Sequence, residues 1–173
     1  MTPKLDLLLV TPPSKDIAFQ DLSRNFVAIE PPVWSTLLAT FLRQKGLSVE
    51  ILDAEAESIG YEMTAQRISE TDATLTVFVI YGHQPSASTQ CMPAGRAVAK
   101  KVRINNPNLK MIVMVTHASA LPGRTLIEEP YDFVCEGEGP HTISTLVEML
   151  KSGVNKLDHI PVSYTHLTLP TKA

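Results

Sequence analysis

The chain has 173 residues, 44% of them apolar and 19% charged, with a formal net charge of −3. That balance suits one domain with a substantial core and argues against a disordered chain. Acids and bases are interspersed without a basic track for nucleic acid, and no apolar run reaches the roughly 18–20 residues of a membrane span. Met1-Thr2-Pro3-Lys4-Leu5 leads directly into apolar sequence without a cleavage-site pattern. Cys91 and Cys135 stand far apart and are too few for a disulfide framework or an iron–sulfur cluster. These features predict a soluble, cytoplasmic protein with neither nucleic acid nor membrane as partner.

In chain order, Leu5–Val10 is a short apolar run stopped by Thr11-Pro12-Pro13, as in a buried strand. A helix is predicted from Val33, with Val33, Leu37, Leu38, Phe41 and Leu42 on one face and Gly46 past its end. Ser48–Leu52 is the second strand, and Tyr61–Glu70 a helix carrying Met63 and Ile68. Thr74–Ile80 is the third strand, rich in β-branched residues. A helix over Pro93–Ile104 follows, with Pro93 suited to its first turn. Met111–Val115 is the fourth strand, Arg124–Glu128 a short helix and Tyr131–Val134 the fifth strand. Pro140 opens a last helix to about Lys151, with Ile143, Leu146, Val147 and Leu150 facing inward and Gly153 after it.

Near-continuously apolar strands alternating with helices predict an α/β fold, a doubly wound parallel sheet covered on both faces. Five such units suggest a flavodoxin-like (Rossmann-like) five-stranded sheet of order 2-1-3-4-5, the order itself being an analogy. Ligands of such sheets bind at the carboxyl ends of the strands. The five loops there hold Thr11-Pro12-Pro13-Ser14, Asp53-Ala54-Glu55, Tyr81 to Thr89, Thr116 to Pro122, and Glu136-Gly137-Glu138-Gly139-Pro140. Three of them are small-residue loops that let a ligand approach the backbone, which favours a broad, shallow face over a tight pocket. No Gly-x-Gly-x-x-Gly turn, no P-loop and no phosphoacceptor acids occupy the required places, so dinucleotide, nucleoside triphosphate and receiver readings fail.

Glu30-Pro31-Pro32-x-Trp34, Asp53-Ala54-Glu55, Pro85-Ser86-Ala87-Ser88-Thr89, His117-Ala118-Ser119-Ala120-Leu121-Pro122 and Glu136-Gly137-Glu138-Gly139 occur in this order between residues 4 and 160. Together they resemble the N-terminal cobalamin (B12)-binding domain of cobalamin-dependent radical SAM enzymes. The resemblance implies a corrin across the carboxyl edge, its nucleotide tail beside the strands, and a following radical SAM barrel as partner. The 4Fe-4S cluster and S-adenosylmethionine would belong to that barrel, whose chemistry would be methyl transfer or carbon-skeleton rearrangement. It implies cobalamin contacts from Thr11, Pro12, Glu30, Trp34, Tyr81, Gly82, His83, Ser86 and Ser88. Thr116, His117, Ser119, Glu136, Gly137, Glu138 and Gly139 complete the set.

Two departures shape these expectations. Residues 11–34 contain no histidine, so that loop offers no imidazole as lower axial ligand. Val115-Thr116 stands where the family usually has Gly-Gly, which would narrow the tail pocket. Several candidates also have a plainer reading. His83 and His117 would be loop histidines bonded to backbone, Glu136 and Glu138 partners of a helix start, and Ser86, Ser88 and Thr89 helix caps. Trp34 is expected in the core, with a cofactor-facing indole as the alternative, and both cysteines as small buried residues. No catalytic or metal-ligating group is nominated. A cobalamin-free docking module, or the nucleotide-sugar half of a glycosyltransferase, are the alternative functions.

Residues 1–161 are therefore expected to form the domain. Residues 162–173, Val162 to Ala173, lack a helical or strand period and resemble the translation of a transposase-type sequencing adaptor. They are expected to be a non-native tail, with a natural edge strand as the alternative, and the natural chain is then expected to continue past Pro161.

Overall fold

Continuously apolar strands need cover on both faces, and the chain supplies it with helices on both sides of the sheet. The computed structural model describes residues 4–25, 27–81, 88–114, 116–137 and 139–153, with backbone alone at residues 24 and 163–165. Its strands are β1 (Leu7–Thr11), β2 (Val49–Asp53), β3 (Leu75–Val79), β4 (Met111–Met114) and β5 (Phe133–Cys135). These five are parallel and ordered β2-β1-β3-β4-β5, the predicted flavodoxin-like plan. The inner strands β1, β3 and β4 are buried almost throughout, whereas β2 at the edge exposes Glu50.

The helices are α1 (Lys15–Phe19), continued by a 3-10 turn over Gln20–Arg24, then α2 (Val33–Gln44), α3 (Tyr61–Thr71) and α4 (Ser88–Asn105). After them come α5 (Thr116–Ala120), α6 (Pro122–Glu128) and α7 (Pro140–Ser152). α2 packs with α7 on one face of the sheet, and α3 packs with α4 on the other. Gly95 lets α4 close onto β3: a Cβ there would lie 2.3 Å from Ile80 Cδ1 and 2.9 Å from Tyr131 Oη.

Several expectations are corrected. The buried stripe of α2 is Ser35, Leu38, Ala39 and Leu42, so Val33 and Leu37 point outward. α4 begins at Ser88, five residues before the expected start, and carries Pro93 in its interior at the cost of one backbone hydrogen bond. β5 starts two residues late. Tyr131 is instead a core residue, its ring 5.2 Å from Phe78, and Asp132 accepts the Met111 N–H through Oδ2 at 2.9 Å. α1 and α5 fall in segments expected to be loops. Of the segment expected to be foreign, Ser163–Thr165 forms β6, antiparallel to β5 with Ser163 opposite Cys135. An open strand edge accepts any extended chain that reaches it, so the pairing does not bear on the segment's origin.

The amino ends of the strands are locked by charge. Buried Asp6 accepts the N–H and hydroxyl of Ser48 at 2.8 and 3.0 Å and pairs with Lys151 at the end of α7. Burial pushes the Asp6 carboxyl up, but hydrogen bonds from Lys151 and Ser48 outweigh it and hold the group below its ordinary value. We expect Asp6→Asn to cost about 1–2 kcal/mol near neutrality. A depressed folded pKa contributes fully above the unfolded value of about 3.9 and is lost as pH falls through the folded value. Urea titrations should therefore show the variant and the parent converging below about pH 4; a gap that stays constant down to about pH 2.5 refutes this linkage.

Candidate functional site

Two groups of residues meet at the carboxyl ends of the strands. The first surrounds a groove of about 230 Å³ between the ends of β1, β2 and β3 and the start of α2, lined by Thr11, Ser14, Glu30, Trp34, Ser35, Asp53, Glu55 and Tyr81 among others. Pro31 and Pro32 set the entry into α2 and carry Trp34 over the end of β3. There the indole stacks on Tyr81 with ring centres 4.9 Å apart and planes 13° from parallel. Trp34 is 45% exposed, which corrects the expectation of a core residue and supports the alternative, an indole on the ligand face. Ile29 and Val33 beside it are also exposed, so the wall is an apolar shelf open to solvent. Pro12 is buried under this edge, and Thr11 Oγ1 lies 3.4 Å from Ser35 Oγ.

Carboxylates ring the shelf. Glu55 Oε1 accepts the Lys15 N–H at 3.0 Å, and Asp53 Oδ1 accepts the Ala56 N–H at 3.2 Å. The charge of Glu55 reaches two neighbours, partly buried Tyr61 and buried Cys91. Tyr61 is held above its ordinary value first by burial and then by the charges of Asp16 and Glu55. Cys91 is raised by burial, lowered by a hydrogen bond with Ser14 and raised again by Glu55.

The second group ties the loops after β3, β4 and β5 to one another. Ser88 Oγ accepts the His117 N–H at 3.1 Å, so this hydroxyl fastens α5 to α4. His117 Nδ1 lies 3.0 Å from Thr89 Oγ1, which gives the ring a side-chain partner where a backbone one was expected. Ser119 Oγ accepts the Gly137 N–H at 2.8 Å and joins the β4 and β5 loops. Thr116 is exposed at the start of α5, and Glu136 is half-buried after β5. Gly137 and Gly139 both have φ of +81°. A Cβ on Gly139 would sit 2.8 Å from the sulfur of buried Cys135, whose thiol burial pushes up to about 11. The glycines of Glu-Gly-Glu-Gly are thus required by the turn itself.

Of the sequence candidates, the structure gathers Thr11, Glu30, Trp34 and Tyr81 into the groove, and it links Ser88 to His117 and Ser119 to Gly137. Gly82, His83, Ser86 and Glu138 lie outside the described residues, as does Val115. Ser14, Ser35, Asp53 and Glu55 join the site although none was singled out as a contact; Asp53-Ala54-Glu55 was the signal for the last two. A corrin is a broad, flat macrocycle with an apolar rim and amide side chains. A half-exposed aromatic stack with apolar neighbours and hydrogen-bonding groups at its margin fits such a ligand. Of the loop after β1, Thr11 and Ser14 line the groove, and residues 11–14 include no imidazole. Among the described residues no helix is long and apolar enough to cross a membrane, and no group of three or more His, Cys, Asp or Glu side chains is placed to hold a metal ion.

Comparison with known proteins agrees with this geometry. The radical S-adenosylmethionine methyltransferase TsrM from Kitasatospora setae, with tryptophan substrate and a SAM analogue bound, superposes with a TM-score of 0.70 at 16% identity, over 94% of this chain and 28% of that one. TsrM with cobalamin and a [4Fe-4S] cluster bound gives 0.70 at 15% identity, over 93% and 27%. The cobalamin-dependent S-adenosylmethionine radical enzyme OxsB, with aqua-cobalamin and S-adenosylmethionine bound, gives 0.64 at 19% identity, over 91% and 20%. The chain thus spans between a fifth and somewhat over a quarter of the length of these structures. No curated protein matches. The B12 binding domain model matches residues 20–147, most of the chain. With the sheet order and the shelf at its carboxyl edge, that match makes the chain a member of the B12-binding domain family, with cobalamin as its cofactor.

Proposed function

We propose that this domain presents cobalamin from its carboxyl edge to a radical S-adenosylmethionine barrel that follows it in the natural protein, and that the whole enzyme transfers methyl groups. The observation that carries the reading is the Trp34–Tyr81 shelf in a chain of the B12-binding family. The similarity to TsrM and OxsB supports the class of partner. Cobalamin, when bound, supplies a cobalt centre able to carry a methyl group. This chain's own residues bind and orient. Trp34 and Tyr81 would offer the corrin a flat aromatic face, and the Ser119–Gly137 and Ser88–His117 bonds hold the neighbouring loops together. Neither Cys91 nor Cys135 is placed for cluster chemistry, since both are buried in the core. Cluster and S-adenosylmethionine belong to the barrel in this reading.

The protein should retain about one equivalent of hydroxocobalamin through gel filtration. Trp34 is the single tryptophan, so its emission should fall as the corrin, which absorbs in that range, arrives. Trp34→Ala should weaken binding about tenfold and Trp34→Phe much less, as loss of one stacked ring implies. No retained corrin and no quenching would count against the reading and favour a cobalamin-free docking module. Residues 162–173 we read as adaptor-derived. Genomic DNA downstream of the Pro161 codon should then continue in frame and encode Cys-x-x-x-Cys-x-x-Cys; a stop at Ala173 would remove the enzyme from the proposal.

A further inference from the structure

The groove beside Trp34 is lined by three carboxylates, Glu30, Asp53 and Glu55, and by no lysine, arginine or histidine among the described residues. Asp53 and Glu55 are each fixed through one oxygen by a backbone N–H, at 3.2 and 3.0 Å. The second oxygen of each remains an acceptor. Glu55 also lines a neighbouring groove of about 610 Å³, which it shares with Lys15, Asp16 and Tyr61, so the uniformly acidic lining is confined to the groove beside Trp34. These carboxylates do not define a site of their own; they stand on the wall of the one the shelf defines.

A carboxylate only accepts hydrogen bonds, whereas a primary amide offers two N–H donors. A peripheral carboxylate on a ligand offers none near neutrality and adds a like charge at close range. We infer that Asp53 and Glu55 make this groove selective for corrins whose peripheral side chains are amides and against corrins whose side chains are carboxylates. The inference rests on the corrin reading of the groove and adds what that reading leaves open, which corrins are admitted. Discrimination of this kind comes from rejecting the wrong ligand as much as from holding the right one.

The test compares two corrins that both lack the nucleotide tail, diaquacobinamide with amide side chains and diaquacobyrinic acid with carboxylates, using quenching of Trp34 as readout. Cobyrinic acid should bind at least about 100-fold more weakly at low salt, and the gap should shrink to about tenfold as added salt screens the repulsion. The double variant Asp53→Asn/Glu55→Gln should bring the two within about tenfold of each other and weaken cobinamide less than about fivefold, because the new amide carbonyls still accept. Equal binding of both corrins to the parent protein overturns the selectivity and leaves the cobalamin reading standing. Binding of hydroxocobalamin but not of cobinamide also overturns it, since the affinity would then reside in the tail. Binding of no corrin at all removes the cobalamin reading and this inference with it.

Discussion

Gly139→Ala is expected to lower the unfolding free energy by about 3 kcal/mol, the larger part from crowding against one sulfur atom. Gly139 precedes Pro140 at the start of α7 with φ of +81°. Its missing Cβ is the space in which Cys135 Sγ sits, at 2.8 Å, with Met114 Cε at 3.4 Å. Cys135 is fully buried at the end of β5, so its sulfur can turn away only into packed neighbours. Gly46, at the end of α2, provides the control. Its φ is +82° and nothing lies within 4 Å of its Cβ position. Gly46→Ala should therefore cost only the conformational term, about 1 kcal/mol. Urea denaturation of both variants separates backbone strain from contact, and equal losses would remove the contact from the account.

Arg96→Met is the second large effect, about 3 kcal/mol, because it strands a buried carboxylate. Glu129 follows α6 with its side chain only 5% exposed, and its two oxygens receive Arg96 Nε at 3.0 and 2.8 Å as well as Nη2. Arg96 itself is 43% exposed, so its share of the interaction is screened by water and the estimate stays below the full cost for a wholly buried pair. The decisive comparison is Arg96→Met/Glu129→Leu. Replacing both partners by apolar groups removes the uncompensated charge and should recover most of the loss. A double variant as unstable as Arg96→Met would show that the loss does not come from the charge left on Glu129.

The sheet was legible because its strands are apolar on both faces, a pattern that only a covered parallel sheet satisfies. The element order followed from it, and the strand order by analogy. The misreadings have particular causes. Pro93 is a good first-turn residue, yet tertiary packing of Cys91, Met92 and Ala94 extends the helix back to Ser88. Val33 and Leu37 match an inward helical stripe, but the α2 face turned to the sheet is centred on Leu38 and Ala39. Trp34 reads as core by hydrophobicity alone. Its position on the rim depends on Tyr81, a partner far off in the chain. The hydroxyls of Ser88 and Ser119 look like caps or ligand contacts from sequence, and nothing local announces that their partners are His117 and Gly137. Loop composition thus pointed to the edge where the groove lies, while the contacts there join residues distant in the chain.

The place of β1 between β2 and β3 has a consequence for how the chain acquires its shape during synthesis. β1 is made first, and its outer neighbour β2 follows within the next half-hundred residues, but its inner neighbour is β3, with Leu7 opposite Leu75. Until β3 has left the ribosome, β1 presents one edge of unpaired backbone and two apolar faces. Each later strand then adds to a finished edge, β4 to β3 and β5 to β4. Closing the long β1–β3 separation is the step that precedes these additions, and the interval before it is when the nascent chain is most open to association through exposed strand edges.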